Sequence, residues 1–279
     1  MQVLVTGATG LLGSATCRAL ARRGHSVRAG AHNSRSDQPW SWVPLEVTDA
    51  CSVGNAVKGV DAVVHTAYAR GGDMAPAVNA EAPAIVATAC DASGVPMLHL
   101  SSDVVFGGHP PRPQGYRETD AVGPVEGFEY GRQKTDAERL VRMSFAEATI
   151  VRTTLLYDLR GGSSLEQAVV ASTDTSNGMA HFTDEFRCPA HVDDVAAGIV
   201  DILELDATER PEVVHLGGPR RLSRADIAVA LAGPLGIDAA LLALAPSSST
   251  AGDRPTDLAF DSSLAAGLIG YSPRPLPGL

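Results

Sequence analysis

Short apolar runs alternate with segments of helical periodicity along the first part of this chain. The runs are rich in β-branched and apolar residues, as buried strands are, and cover 2–6, 26–31, 42–45, 61–67, 95–100 and 148–152. Between them, apolar side chains recur at spacings of three and four, which predicts helices over 11–23, 49–57 and 76–93. Pro83 should bend the last helix. This alternation predicts an α/β fold, a doubly wound parallel Rossmann sheet.

The turn between the first strand and the first helix is rich in glycine. Gly7, Gly10 and Gly13 follow one another at intervals of three residues. Glycines at this place let the backbone approach a pyrophosphate, and the helix N-terminus stabilises its charge. The spacing differs from the G-x-G-x-x-G of most dehydrogenases. Its position after a first strand nevertheless favours a dinucleotide site over a purely structural turn.

The order of the elements predicts two domains. We expect residues 1–155 to form the NAD(P)-binding Rossmann domain that carries the catalytic residues. Residues 156–279 should form mainly a small C-terminal substrate lobe, partly interleaved with the main sheet. Within this lobe, 213–217 is a predicted late strand, and Ser223 is a predicted N-cap before a helix over 224–232.

Composition narrows the classes of function. The chain has 279 residues and a net charge of −10, which argues against nucleic acid as a partner. No apolar run reaches the length of a membrane span, and the first strand begins too early to leave room for a signal peptide. The four cysteines are scattered, without C-x-x-C spacing, so we expect reduced thiols, no metal site and a cytoplasmic location.

A tyrosine and a lysine form a candidate acid/base pair. Tyr130 precedes Lys134 by four residues, and positions at this spacing share one face of a helix. A nearby ammonium group stabilises the phenolate and lowers the tyrosine pKa from its usual value of ~10. The pair therefore predicts a proton donor that works near neutrality. A surface pair at helical spacing is the alternative.

The chain resembles the extended short-chain dehydrogenase/reductase family over nearly its whole length. The resemblance rests on motifs in the family's order: Thr6-Gly7-x-x-Gly10-x-x-Gly13, His65-Thr66-Ala67, Asn79, Ser101-Ser102-Asp103 and Tyr130-x-x-x-Lys134. Within the family it looks most similar to the dTDP-4-dehydrorhamnose reductase branch. That similarity is carried by the segments 101–107 and 152–157, and by Arg254-Pro255 with Leu258 and Asp261.

The resemblance implies that Ser102 and Tyr130 bracket a substrate carbonyl and that Lys134 also holds the nicotinamide ribose. The residue chemistry agrees, because a carbonyl that accepts hydride becomes an alkoxide and needs a proton. Tyr130 can supply it while Ser102 donates a hydrogen bond. Asp103 is a further catalytic candidate, although a carboxylate there could merely fix its loop.

The cofactor is expected to be NADP(H), with NAD(H) as the alternative. No carboxylate follows the second strand before Asp37, and Arg28 lies just before that region. An acid there would favour NAD by binding its ribose and would repel the extra phosphate of NADP. Arg28 and Arg35 could equally be ordinary surface charges. The expected cofactor-binding residues are Gly7, Thr9, Gly10, Leu11, Leu12, Gly13, His32, Asn33, Arg35, Val47, Thr66, Ala67, Tyr68, Asn79, Tyr130, Lys134 and Thr154.

The two residues that follow Ser102 discriminate among the reactions of the family. Dehydratases of the family carry a second acid where this chain has Val104, and the 4-epimerases usually have a small neutral residue at the position of Asp103. Arg187 and Arg254 can hold a diphosphate, since guanidinium forks match phosphate oxygens, although both could be simple exposed charges. The expected substrate residues are Asp103, Val104, Arg187 and Arg254.

We therefore predict an NADP(H)-dependent ketoreductase that acts on a nucleotide-activated 4-keto-deoxysugar or a similar small ketone. An NAD-dependent sugar-nucleotide 4-epimerase and a catalytically silent, nucleotide-binding regulatory subunit are the alternatives. The expected partner is a small-molecule substrate, with no nucleic acid or membrane, and a homodimer is left open.

Overall fold

The computed structural model describes residues 1–32, 37–174, 179–249 and 254–278. The predicted cofactor residues Asn33 and Arg35 lie outside the described residues. The strands, in chain order, are β1 (Gln2–Thr6), β2 (Ser26–Ala31), β3 (Ser41–Pro44), β4 (Ala62–His65), β5 (Met97–Ser102), β6 (Thr149–Thr153), β7 (Leu156–Tyr157), β8 (His181–Phe182), β9 (Phe186–Arg187), β10 (Ala190–His191), β11 (Val213–Leu216), β12 (Leu222–Ser223) and β13 (Leu244–Ala245). The α-helices are α1 (Leu11–Arg22), α2 (Ala50–Val57), α3 (Ala82–Ser93), α4 (Glu129–Ser144), α5 (Ser164–Ala171), α6 (Val192–Glu204), α7 (Arg224–Ala232) and α8 (Ser263–Ile269).

The main sheet confirms the predicted fold class. Its seven strands have the order β11-β6-β5-β4-β1-β2-β3. The pairs β1–β2, β2–β3, β1–β4 and β4–β5 are parallel. The chain winds outward from β1 in both directions, as in dinucleotide-binding sheets, so ligands are expected at the carboxyl ends of the strands where the order reverses.

The chain folds into two compact units, each built from three segments. The first unit contains Met1–Ser102, Arg132–Arg152 and Ala196–Val214, and the second contains the remaining residues. Within the predicted C-terminal lobe, Ala196–Val214 belongs to the first unit. The chain therefore returns to the first unit after residue 195, where β11 joins the main sheet.

The segment before β5 corrects the prediction of one long, bent helix over 76–93. A single π-helical turn, Ala77–Glu81, comes first, and α3 begins only at Ala82. Pro83 thus lies in the first turn of α3. Proline is tolerated there because the first-turn N–H groups have no partner within the helix.

Each unit has its own apolar core. In the first unit, Leu4, Val63 and Met97 on the sheet pack in one cluster with Val57 of α2 and Val86 of α3. A second cluster, in the second unit, contains these buried side chains: Tyr157, Leu165, Ile227, Leu231 and Leu276.

Within the described part of the chain, none of the helices combines the length and the apolar character that crossing a membrane requires.

Candidate active site

The three glycines of the turn after β1 have different surroundings. Gly7 has a φ of 64°, and a Cβ on it would lie 2.7 Å from the Cα atom of Ala67. A Cβ on Gly13 would lie 2.2 Å from the Gly7 carbonyl oxygen. Gly10 is exposed, and a Cβ there would meet only that same oxygen, at 3.3 Å. Gly7 therefore lets the turn approach the loop after β4, and Gly13 lets α1 pack against the turn. Gly10 leaves an open approach for a ligand.

The N-terminus of α1 fits an anion. Gly10 is the N-cap residue, so no side chain caps the helix, and its first turn contains no acidic residue. The backbone N–H groups of Leu11, Leu12 and Gly13 begin this helix, which concentrates positive potential at the turn. A pyrophosphate suits this cradle, because a β-carbon at Gly10 would fill it.

A cavity of about 400 Å³ lies in the first unit beside this turn. Its volume is within the range of small-molecule sites. Its lining includes six of the predicted cofactor residues: Gly7, Thr9, His32, Val47, Ala67 and Tyr68. The carboxyl ends of β1, β2 and β4 all contribute to it, as the sheet order predicts.

Two other predicted cofactor residues support this cavity from behind. The Thr66 hydroxyl donates to the carbonyl of Thr6 at 2.6 Å. The buried Asn79 amide accepts from the N–H of Ala69 and donates to its carbonyl, both at 2.9 Å, and also donates to Gln133 Oε1 at 2.9 Å. Because these polar groups are used within the protein, Thr66 and Asn79 hold the loop after β4 and so shape the cavity.

The far end of the cavity carries a histidine and a carboxylate. His32 Nδ1 lies 2.7 Å from Glu46 Oε2. The hydroxyl and then the N–H of Thr48, followed by His32, hold the pKa of Glu46 below its usual value. Arg28, whose place in the sequence favours NADP, does not face the cavity: its guanidinium donates to the Ala56 carbonyl, at the end of α2, at 2.9 Å. The basic side chain described at the end of β2 is therefore His32.

Lys134 is buried in the first unit. Its Nζ donates to the carbonyl of Leu100, in β5, at 2.7 Å. Burial lowers the pKa of Lys134 to about 8, and the charge of Glu138 opposes that effect. The ammonium therefore remains mostly protonated at neutral pH. Tyr130, partly buried, precedes Lys134 by one turn on α4, and Ser102 ends β5.

Glu138 lies on α4 one turn after Lys134 and was not among the residues predicted from the sequence. Its carboxylate accepts from the Ser101 hydroxyl at 2.5 Å, and from Nε and Nη2 of Arg152 at 2.9 and 2.8 Å. This buried bidentate pair ties α4 to β5 and β6, and thereby fixes the helix that carries Lys134. The signal was available, because position 138 follows Lys134 by one further turn on the same face.

Two buried histidines lie in the neighbouring strands β4 and β5. His65 and His99 stack with ring centroids 5.5 Å apart. The Thr6 hydroxyl lies 2.8 Å from His65 Nδ1, whereas His65 Nε2 and both ring nitrogens of His99 have no partner among the described residues. Burial, and secondarily the charge of Lys134, lowers the pKa of His65 to about 3 and that of His99 well below its usual value. Both rings are therefore neutral in the folded protein.

In the second unit, the structure brings together three of the predicted site residues. Asp103 is buried and accepts a hydrogen bond from the Thr154 hydroxyl at 2.9 Å. Arg187 Nε lies 3.6 Å from the same carboxylate. The geometry thus shows Asp103 anchored and gives the Thr154 hydroxyl a partner within the protein. Val104, beside it, is also buried.

Arg254 has an acidic partner of its own in that unit. Its Nε lies 2.5 Å from Oε1 of Glu185, and its guanidinium lies over the ring of Phe182, 4.9 Å from the centroid. The Arg254 side chain is nevertheless 46% exposed. Its remaining donors are accessible to a ligand.

Comparison with known proteins identifies the family. The model of the RmlD substrate binding domain family matches residues 1–274. The chain is 30% identical to a probable low-salt glycan biosynthesis reductase, Agl14, of Haloferax volcanii over 98% of this chain and 93% of that protein. It is 30% identical to a dTDP-4-dehydrorhamnose reductase of Mycobacterium tuberculosis over 80% of this chain and 72% of that one. It is 28% identical to methionine adenosyltransferase 2 subunit beta of Bos taurus over 94% and 80%.

Solved structures show the same fold. A hypothetical dTDP-4-dehydrorhamnose reductase from Sulfolobus tokodaii superposes with a TM-score of 0.77 at 24% identity, covering 100% of this chain and 97% of that one. A dTDP-4-dehydrorhamnose reductase from Bacillus anthracis, in complex with NADP, gives 0.76 at 21% identity, covering 99% and 93%. The family match over residues 1–274, together with this shared fold, makes the chain a member of the extended short-chain dehydrogenase/reductases. Within them it belongs to the RmlD substrate binding domain family.

Proposed function

We propose that the protein is an NADP(H)-dependent reductase that transfers hydride to the keto carbon of a nucleotide-activated deoxysugar. The observation that carries the proposal is the environment of Lys134. A buried ammonium bound to the Leu100 carbonyl, one helical turn after Tyr130, has no packing role that an apolar residue would not fill better. Buried cations with a shifted pKa are characteristic of functional sites.

The proposed chemistry divides among three side chains. Bound NADPH supplies the hydride. The Tyr130 hydroxyl gives its proton to the forming alkoxide, and the Ser102 hydroxyl donates a hydrogen bond to the same oxygen. The positive charge of Lys134 stabilises the resulting phenolate, so that the proton transfer is favourable near neutral pH. Glu138 and Arg152 act by holding α4 against the sheet.

The proposed choice of cofactor is based on the cavity of the first unit. The open Gly10 turn suits the pyrophosphate, and the cavity takes the adenosine half. No acid follows directly after β2, where His32 lies with Glu46 Oε2 2.7 Å from its Nδ1, and the lack of an acid at that sequence position supports NADP(H) over NAD(H). The presence of NADP in the Bacillus anthracis structure agrees with the choice. The names of the Haloferax and Mycobacterium relatives support reduction as the reaction.

A second candidate is a nucleotide-binding subunit without catalysis, which the similarity to methionine adenosyltransferase 2 subunit beta favours. Both candidates bind the dinucleotide, so only turnover separates them. The test mixes the protein with NADPH and dTDP-4-dehydrorhamnose, and follows the loss of reduced nicotinamide absorbance. Wild type should oxidise NADPH, and Tyr130→Phe should lower the rate on the order of 10²–10⁴-fold while NADPH binding is retained. NADPH binding without turnover would refute the reductase and favour the non-catalytic nucleotide-binding subunit.

A further inference from the structure

A buried ion pair lies one helical turn beyond Lys134. On α4, Tyr130 precedes Lys134 by one turn and Glu138 follows it by one turn, so the side chains of Lys134 and Glu138 are neighbours, with Cβ atoms about 5–6 Å apart. The Glu138 carboxylate accepts from Nε and Nη2 of Arg152, in β6, at 2.9 and 2.8 Å. The side chains of Glu138 and Arg152 are only 7% and 5% exposed, so water screens their charges little.

The same carboxylate also holds the end of β5. Its Oε1 accepts from the Ser101 hydroxyl at 2.5 Å. Ser101 follows Leu100, whose carbonyl accepts from Lys134 Nζ at 2.7 Å. It precedes Ser102, the last residue of the strand. Glu138 therefore contacts the short strand segment that carries both the anchor of Lys134 and the Ser102 hydroxyl.

The titratable groups on the strands around Lys134 are neutral or positive, within the part of the chain that the structure describes. His65 in β4 and His99 in β5 are neutral in the folded protein, and the charge of Lys134 acts on both. Arg152 in β6 is a cation bound to Glu138. The Glu138 carboxylate is thus the described charge that offsets the cost of burying the ammonium.

This balance decides how much of Lys134 is charged. Burial lowers the pKa of Lys134 to about 8, and the charge of Glu138 acts in the opposite direction. Without the carboxylate, the cation of Arg152 would stay behind and the pKa of Lys134 would fall further. A larger share of the lysine would then be neutral at physiological pH, and a neutral amine does not stabilise a Tyr130 phenolate.

We propose that Glu138 is a positioning residue for the reduction, which keeps the ammonium of Lys134 charged and, through Ser101, holds Ser102 in place. Arg152 fixes the carboxylate and limits its field. This inference rests on the proposed function and deepens it, because it assigns the charge of the lysine to a residue that acts only through its neighbours.

A merely structural role of the pair predicts the opposite sign. If the pair only held α4 against the sheet, its loss would let water reach Lys134, and the pKa of Lys134 would rise toward its usual value of about 10.4. If Glu138 acts through its charge, Glu138→Gln should instead lower the pKa of Lys134 by about 1.

The measurement is an NMR titration of the lysines in the full chain. The chain contains only two lysines, so lysine labelled with ¹³C at Cε gives one resonance for Lys134 and one for the exposed Lys58, which is the internal reference. Asp136→Asn is the matched control, because it removes a partly exposed carboxylate, paired with Arg132, from the same helix. Since water screens this charge, the control should leave the pKa of Lys134 unchanged.

The pH profile of turnover gives a second measurement. In the reduction of dTDP-4-dehydrorhamnose by NADPH, the rate should fall as the pH rises through the pKa of Lys134, because the protonated lysine is the active form. Glu138→Gln should move this fall to lower pH by the same amount as it moves the NMR titration.

An unchanged or raised pKa of Lys134 in Glu138→Gln, or an equal decrease in Asp136→Asn, would overturn the inference. If Glu138→Gln does not fold, the double variant Glu138→Leu/Arg152→Met decides, because apolar replacement of a whole buried ion pair is often neutral for stability. The double variant should also lower the pKa of Lys134, though by less, and a pKa at or above that of wild type would overturn the inference.

The outcome is separable from that of the proposed function, because the NMR titration needs no turnover. A lowered pKa of Lys134 in Glu138→Gln, in a protein that does not reduce its substrate, refutes only the reductase. Reduction by wild type, with a pKa of Lys134 that Glu138→Gln does not lower, refutes only this inference.

Discussion

Acid should destabilise this protein through the stacked pair of histidines in the main sheet. His65 and His99 are both buried, and burial holds the pKa of each far below its usual value. An unfolded histidine binds a proton near pH ~6.5, so below that pH the unfolded chain binds more protons than the folded one. The stability contributed by the neutral rings is therefore complete above that pH and is lost as the pH falls. For His65 this loss continues down to its folded-state pKa of about 3.

The magnitude follows from proton linkage. Each ring costs the folded state about 1.4 kcal/mol per pH unit below ~6.5, so acidification to about pH 5 removes about 2 kcal/mol per histidine and about 4 kcal/mol for the pair. This is a large fraction of the 5–15 kcal/mol that roughly spans the stability of most domains. The carboxylates whose pKa is lowered, such as Asp120 and Asp261, titrate mainly below this window.

Urea denaturation at several pH values between about 5 and 7.5 measures the effect. His99→Leu removes one titrating ring whose nitrogens have no described partner, so this variant should lose about half of the pair's pH dependence. His109→Gln, at an exposed histidine, is the control and should follow wild type. A wild-type stability that is flat across the window, or an equal slope in His99→Leu, would refute the reasoning.

Three further predictions concern the candidate active site. Gly10→Val should melt like wild type but lose NADPH binding in calorimetry, whereas Gly13→Ala should lower the melting temperature, because its Cβ would overlap the Gly7 carbonyl; unchanged binding in the first variant would reject the phosphate cradle. Glu138→Gln should lower stability by about 3–5 kcal/mol, since it removes the carboxylate from a buried ion pair with Arg152, and a loss below about 1 kcal/mol in urea denaturation would contradict this. His32→Ala should weaken 2′,5′-ADP about tenfold and leave 5′-AMP unchanged, and equal losses for both would remove His32 from cofactor selection.

Much of the fold could be predicted because local sequence and global topology agree. The strand over 2–6, the glycine turn and the first helix form where the pattern places them, and Ser223 caps α7 as its residue type predicts. The predicted bend at Pro83 is wrong, because proline disrupts a helix interior but is compatible with the first turn, where Pro83 lies. A pattern of residues does not reveal where such a helix starts.

The candidate site was only partly predictable, because the roles of charged residues depend on three-dimensional neighbours. Arg28 is adjacent to the cofactor region in sequence, yet strand geometry directs it to the end of α2. The diphosphate contact of Arg187 stays a prediction from residue type, which does not show that two of its donors bind the carbonyls of Phe186 and Pro255. Glu138 was missed because its role rests on a buried ion pair with Arg152, which spacing alone does not show.

The fate of the cofactor hydride tests the central claim most directly. The protein is incubated with NADPH deuterated at the transferred position of the nicotinamide and with dTDP-4-dehydrorhamnose, and the products are analysed by mass spectrometry. The account predicts a reduced sugar that carries one deuterium, formed in equal amount to NADP⁺, and loss of this product in Tyr130→Phe. An isomerised sugar without label, or unlabelled substrate beside intact NADPH, would contradict it.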